Sequence, residues 1–432
     1  MNKPDSIKKM LFDDINAMGE NNQTFVTNPE TDFTRNRKLP FHKIMKFIIS
    51  MEKKTLADEL LQYFDYSNDT PTASAFCQQR AKILPEALRE LLYRFNRHFE
   101  PKLFMGFQLL ACDGSEFRLP LNQKDRTTYV KPSPTSAIGY NALDVVALYD
   151  ILSHKYTDAI IRPFSETNEP RDICQLTDRI KNNGKYKKLI IADRGFACYN
   201  FYAHAIERGV YFMARAKDVN VEHMLGKKLK ELPDGFDMTV HRILTRTNSA
   251  RKWKNPENRE QYRICKKNFD SVNETNSEYG MDLRVVRFKI SENSYENIVT
   301  NLQDGFNPET IKKLYAMRWG IETSFRTLKH SIGATTFHAV KYEYVLQEVW
   351  ARMILYNFGS EIIRCCEVKA VGTRLEYSLN ISEAMKICRE FLKSVTEIDV
   401  KTLIENFKLP VRNNRKYNRR QISIRAVNLN YR

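Results

Sequence analysis

Residues 106–120 read GFQLLACDGSEFRLP. Leu109, Leu110, Ala111 and Cys112 form a short apolar run, which predicts a strand over 108–112 with Asp113 left at its end. Gly114 follows, so the backbone can turn away there and a substrate can come close. Residues 186–196, YKKLIIADRGF, repeat the texture: a β-branched run, then Asp193, Arg194 and Gly195. Two such carboxylates on neighbouring strands would meet at one edge of a sheet. Like charges held that close call for a cation, and hard oxygen donors suit Mg²⁺ or Mn²⁺ rather than zinc. Strand-end aspartates also cap the turn or helix that follows, and taken singly each of these two reads that way.

Working outward, apolar patterning predicts strands over 141–149, 155–163 and 210–216 and helices over 171–182 and 199–208. Adjacent strands followed by helix, strand, helix, strand make a mixed α/β layout. Residues 218–302 change character. VNVEH, DMTVHRILTRT, EQYRICKKNF and LRVVRFKI are short alternating segments between polar turns, which predicts a β-rich insertion. Long helices follow over 308–332 and 344–366. Upstream, helices are expected over 41–51, 55–64, 73–83 and 85–95, after a loose lead-in or short helices over 1–36. The third of these carries Gln78, Gln79, Arg80 and Lys82, which suits a helix reading the DNA major groove and equally suits an ordinary bundle with a solvated face. The organisation expected is a helical DNA-binding region over 1–100, an α/β catalytic core over 101–217 and 303–366 split by the insertion over 218–302, and a helical C-terminal region over 367–432.

The net charge of +17 over 432 residues favours a polyanionic partner, because cations that neutralise phosphates release counterions. Residues 411–432 hold seven Arg or Lys and no acid, which reads as an arm on DNA or as a free basic end. The eight cysteines form no C-x-x-C pair and no zinc-finger spacing, so reduced thiols in a cytosolic protein are expected. Residues 1–10 lack the apolar run of a secretory signal, and no apolar stretch approaches the roughly 18 residues of a spanning helix. The expected location is the cytoplasm, on the nucleoid when DNA is bound.

A third carboxylate completes the pattern. Residues 314–333, LYAMRWGIETSFRTLKHSIG, hold no proline, and Gly320 is their weak interior point. Tyr315, Arg318, Glu322 and Lys329 stand at offsets 0, 3, 7 and 14. At about 100° per residue they fall within roughly 60° of one another on a helix. Leu314, Met317, Ile321, Phe325 and Leu328 form an adjoining apolar stripe toward the core. Arg318 and Glu322 could be an ordinary solvated i,i+4 pair. A single glutamate flanked by cations and a tyrosine is also what a metal-and-phosphate site needs. His330 and His338 have no partner at ligand spacing and read as structural or surface residues, Cys365 and Cys366 as core, and Trp319 and Trp350 as helix anchors.

These motifs resemble those of the DDE transposases of the IS4 family of insertion sequences. Tyr315, Arg318, Glu322 and Lys329 match the family's Y-x2-R-x3-E-x6-K signature without a gap. Asp113-Gly114-Ser115 matches its D-G-[ST], and Asp193-Arg194-Gly195-Phe196 its D-R-G-[YF]. The N-terminal segments LPF, ADELLQYF and TASAFCQQRAKI are similar as well. The resemblance implies an RNase H-like core with a β-rich insertion, preceded by an all-α domain. It implies two Mg²⁺ or Mn²⁺ ions on Asp113, Asp193 and Glu322, with phosphates held by Tyr315, Arg318 and Lys329 and, more weakly, by Arg194 and Arg326. It also implies cut-and-paste transposition by a homodimer on double-stranded DNA. Trp253 sits among cations in the insertion and would stack on a flipped base, or else serve as a loop anchor. The competing readings are a metal-dependent nuclease that cuts without joining and a domesticated DNA-binding protein that kept the fold. The second predicts loss of an acid, and all three acids are present.

Overall fold

The computed structural model describes residues 3–411 apart from 36, 133–137, 182–183, 248–253, 266–267, 293, 304, 369–375 and 395–397. Trp253 and most of the basic tail lie outside the described residues.

Among the described residues five α-helices come first: α1 (Lys3–Glu20), α2 (Phe41–Ser50), α3 (Leu56–Tyr63), α4 (Ala73–Arg80) and α5 (Pro85–Arg97). The sequence leaves residues 1–36 open between a loose lead-in and short helices, and the first helix is longer than either reading, at 18 residues. Ile7, Leu11, Ile15 and Met18 are spaced four, four and three apart, so one side of an 18-residue helix is buried despite its polar remainder. Thr55 and Thr72 start α3 and α4 by accepting the backbone N–H groups of Asp58 and Ala75.

Among the described residues ten strands build one mixed sheet: β1 (Phe107–Leu119), β2 (Tyr129–Val130), β3 (Tyr140–Asp150), β4 (Lys155–Pro163), β5 (Lys187–Ala192), β6 (Tyr211–Ala216), β7 (Phe236–Thr245), β8 (Tyr262–Ile264), β9 (Glu278–Ser291) and β10 (Ser294–Thr300). The order is β2-β3-β1-β5-β6-β10-β9-β7-β8, with β4 also on β3. β3 pairs antiparallel with β1 and β4, while β5 is parallel to β1 and to β6. The parallel pairs are joined through α6 (Glu169–Arg179) and α7 (Tyr199–Glu207), so β4-β3-β1-β5-β6 is the strand sequence of an RNase H-like core. The insertion is β-rich, and its strands lengthen this same sheet: β10 lies antiparallel on β6, and β9 and β7 follow. VNVEH is an exception, forming part of helix α8 (Asp218–Leu225). Val221, Met224 and Leu225 are buried there, and left-handed Gly226 ends the helix.

Strand alternation divides the core between the two faces of the sheet. Leu109, Ala111 and Phe117 of β1 join the core shared with the N- and C-terminal helices. Leu110 and Cys112 face the other way, toward the layer that holds α6 and α7. Helix α9 (Pro256–Gln261) lies within the insertion. The segment over 308–332 is helical with a break: α10 (Pro308–Met317), then α11 (Trp319–Arg326), then a π-turn at Thr327–Ser331. Helix α12 (Tyr342–Ile363) is buried nearly all round. Its polar side chains find partners: Gln347 and Glu348 with Arg80, Asn357 with Asn96 and Tyr156, and Glu361 with Lys155. Helices α13 (Ile381–Lys393) and α14 (Val400–Asn406) pack beside it. Among the described residues no helix is long and apolar enough to cross a membrane.

Two local readings change here. Arg80 is buried against α12, so it is not on a polar, groove-reading face. Trp319 is 54% exposed and is no helix anchor, whereas Trp350 is buried.

Candidate active site

Asp113 is in mid-strand, not at a strand end. β1 runs on to Leu119 because β3 pairs with it from Leu110 to Leu119, whereas its pairing with β5 stops at Cys112↔Ala192. Asp193 is the residue just after β5, so both aspartates stand where β5 gives out. In an α/β sheet, the crevice beyond the carboxyl ends of parallel strands is where ligands bind.

The broken helix lies over this point, its start fixed by Asn307, which accepts the backbone N–H of Thr310 at 2.8 Å, and by Pro308. Leu314, Ile321, Phe325 and Leu328 are buried as the apolar stripe requires, and Met317 only partly. The polar stripe faces the acids. The Tyr315 hydroxyl donates to Asp193 Oδ1 at 3.1 Å. Arg318 donates from Nη1 to Asp113 Oδ2 at 3.2 Å and from Nη2 to Glu322 Oε1 at 2.8 Å. Lys329 Nζ donates to Ser115 Oγ at 2.7 Å and lies 4.9 Å from the centre of the Phe117 ring. Ser115 and Phe117 share the strand face of Asp113, so Arg318 and Lys329 meet one strip of β1, Tyr315 meets the residue after β5, and Glu322 joins them through Arg318.

Burial pushes the Asp113 carboxyl up to about 6, and the Glu322 and Asp193 charges add to this while Arg318 opposes it. Asp193 is held below the usual carboxylate range. Burial alone would raise it, but the Arg194 backbone N–H, the Arg215 and Arg318 charges and the Tyr315 hydroxyl outweigh that. Burial likewise lowers the Lys329 ammonium from its ordinary value. The Arg318 side chain is only 5% exposed, and its Nε is buried with no acceptor among the described residues. The guanidinium therefore keeps an unused donor beside three carboxylates.

Arg215 was not singled out in the sequence. Its Nε lies 2.9 Å from Asp193 Oδ1, and its Nη1 donates to Glu296 Oε1 at 3.0 Å. The available signal was an arginine inside the otherwise apolar run of β6. Arg194 and Arg326 are exposed, and their side chains make no hydrogen bond or ion pair among the described residues. Trp253 falls outside the described residues. The donor set of three carboxylates fits a hard divalent cation in kind. As they stand, these oxygens are engaged by Arg318, Arg215 and Tyr315. No three acidic, histidine or cysteine side chains among the described residues converge closely enough to hold an ion.

Comparison with known proteins bears on the chemistry. No curated protein matches the chain. Among solved structures, the chain is similar to a piggyBac transposase in a synaptic complex with hairpin DNA, at 10% identity and a TM-score of 0.44, with 91% of this chain and 80% of that one covered. The family model described as "Transposase DDE domain" matches residues 105–358, more than half of the chain, from β1 into α12, a span that includes Asp113, Asp193 and Glu322. The chain therefore belongs to the transposase DDE-domain family and is a DNA transposase.

Proposed function

We propose that the protein is an IS4-type cut-and-paste transposase that cleaves the terminal inverted repeats of a mobile element and joins them to target DNA. The observation that carries this is the double grip of one helical segment: Arg318 holds Asp113 and Glu322 together while Tyr315 holds Asp193. This convergence supports the reading, because it gathers three carboxylates with a tyrosine and an arginine at one crevice, as a metal-and-phosphate site requires.

In this reading Asp113, Asp193 and Glu322 hold two Mg²⁺ or Mn²⁺ ions. Bound there, the ions would supply an activated water or 3′-hydroxyl and stabilise the departing oxygen of an in-line displacement. The protein's own part is positioning. Arg318 turns its guanidinium, with its unused Nε, to the phosphate being cleaved, where planar two-pronged donation is strong. Tyr315 orients Asp193, and Lys329, drawn from Ser115, neutralises the neighbouring phosphate. Arg194 and Arg326 are exposed at the rim and free to meet the duplex, and Trp253 remains a base-stacking candidate. Two element ends must be brought together, so the DNA-bound form is a homodimer.

The test is strand transfer in vitro with Mg²⁺ and a duplex carrying the element's terminal repeats. Joined product is expected from the native chain and none from Asp113→Ala or Glu322→Ala. Joining that survives either substitution would disprove the assignment.

A further inference from the structure

We propose that Glu169 is a fourth carboxylate of this metal centre, holding the divalent cation together with Asp193. The inference rests on the metal-site reading above and adds a residue that none of the three sequence motifs contains. It begins with the crevice. Past Cys112↔Ala192, β1 continues beside β3 alone and the chain after β5 turns away. The gap is walled by Asp113-Gly114 on one side and Asp193-Arg194-Gly195 on the other.

Glu169, the first residue of α6, sends its carboxylate into that gap. The helix start is set by Asn168, which accepts the backbone N–H of Arg171 at 3.1 Å, and by Pro170. A β-carbon on Gly114 would meet Glu169 Oε1 at 3.0 Å, and one on Gly195 would meet Oε2 at 2.5 Å. Neither glycine has a positive φ, so backbone freedom does not account for them. Both motif glycines leave room where this one carboxylate sits.

The carboxylate meets no counter-charge among the described residues. Among the described residues Glu169 makes no hydrogen bond or ion pair, while Asp172 nearby is neutralised by Arg162 at 2.7 Å. Burial chiefly, then the charges of Asp193 and Asp172, raise the Glu169 carboxyl from its ordinary value. A second acid shares the deficit. Asp144 on β3 is 9% exposed, and its Oδ2 is buried without a partner. Its Oδ1 lies 3.9 Å from the same point above Gly114. Buried and half-buried carboxylates that face other acids are costly unless a cation joins them, and Asp193 is the neighbour proposed above to hold one.

The experiment is Mn²⁺ binding by calorimetry to the full-length protein without DNA, comparing the native chain with Glu169→Gln and Asp193→Asn. Glu169→Gln is expected to weaken Mn²⁺ binding about tenfold or more. Its metal-free melting temperature should be unchanged or higher, because a merely structural residue would lower it. Gly195→Ala should weaken Mn²⁺ similarly by pushing the carboxylate aside, and should have no further effect in a Glu169→Ala background. Native Mn²⁺ affinity in Glu169→Gln, with binding lost in Asp193→Asn, overturns the role of Glu169 alone. Native affinity in both variants overturns the metal-site reading and this inference with it.

Discussion

Arg318 donates from Nη1 to Asp113 Oδ2 at 3.2 Å, joining a strand and a helix that stand 205 positions apart in the chain. The guanidinium is buried, so this is a desolvated ion pair and not a surface one. Arg318→Ala would leave Asp113, already near 6, with less positive charge to keep it ionised. Cleavage of an end-containing duplex, followed under single-turnover conditions, is expected to fall on the order of a hundredfold. Arg318→Lys keeps the charge but cannot reach Asp113 and Glu322 at once, so it should recover only part of that loss. Full activity in the lysine variant would mean that charge alone matters here.

Lys329 offers a milder perturbation. Its ammonium reaches Ser115 and lies over Phe117, poised beside the strand and not locked in an ion pair. If it neutralises one phosphate in the complex, Lys329→Gln should reduce the slope of log affinity against log salt by about 0.9. The measurement is DNA binding titrated across salt concentrations, and an unchanged slope would place Lys329 off the DNA.

Arg80 separates a structural role from a DNA-reading one. Its Nε donates to Gln347 at 2.7 Å, and its Nη1 pairs with buried Glu348 at 3.0 Å. Arg80→Ala leaves that glutamate short of a cation, with an expected loss of about 3–5 kcal/mol. DNA affinity per folded molecule should not move. A variant that melts normally and binds DNA poorly would restore the groove-reading role of α4.

His338 lies between Glu348 and Glu59, at 3.7 and 3.2 Å. Burial lowers its pKa, but the two glutamates outweigh this and raise it from 6.5 to about 9. A histidine raised on folding adds stability that is fully present below about 6.5 and is lost as pH rises through about 9. The contribution is on the order of 3 kcal/mol. Melting temperature is expected to fall between pH 6.5 and 9, and His338→Gln should melt lower at pH 6.5 and flatten that fall. Parallel curves for the two proteins would assign the pH dependence elsewhere.

Much of the site was legible because its determinants are local. An apolar run ending in an acid and a glycine marks β5 and Asp193, and the spacing of Tyr315, Arg318, Glu322 and Lys329 sets one helical stripe that survives a break at Arg318 and a π-turn. Other features depend on partners far along the chain. Whether Asp113 ends a strand or continues one is decided by β3, which pairs past the point where β5 stops. The length of helix α1 depends on the packing of Ile7, Leu11, Ile15 and Met18 against α2, α5 and α12. Arg80 and Trp319 exchanged their expected exposures for the same reason, since burial belongs to the surface that an element packs against and not to the residue type.

Three candidate acids, the helical stripe around Glu322 and the α/β order can be read along the chain, because periodicity and turn chemistry act over a few residues. Which of those groups touch depends on how distant segments pack. The Arg318 bridge, the Arg215 contact with Asp193 and the placement of Glu169 between Gly114 and Gly195 all join distant segments. No local pattern encodes them, because they arise from strand register and from where one helix begins over the end of a sheet.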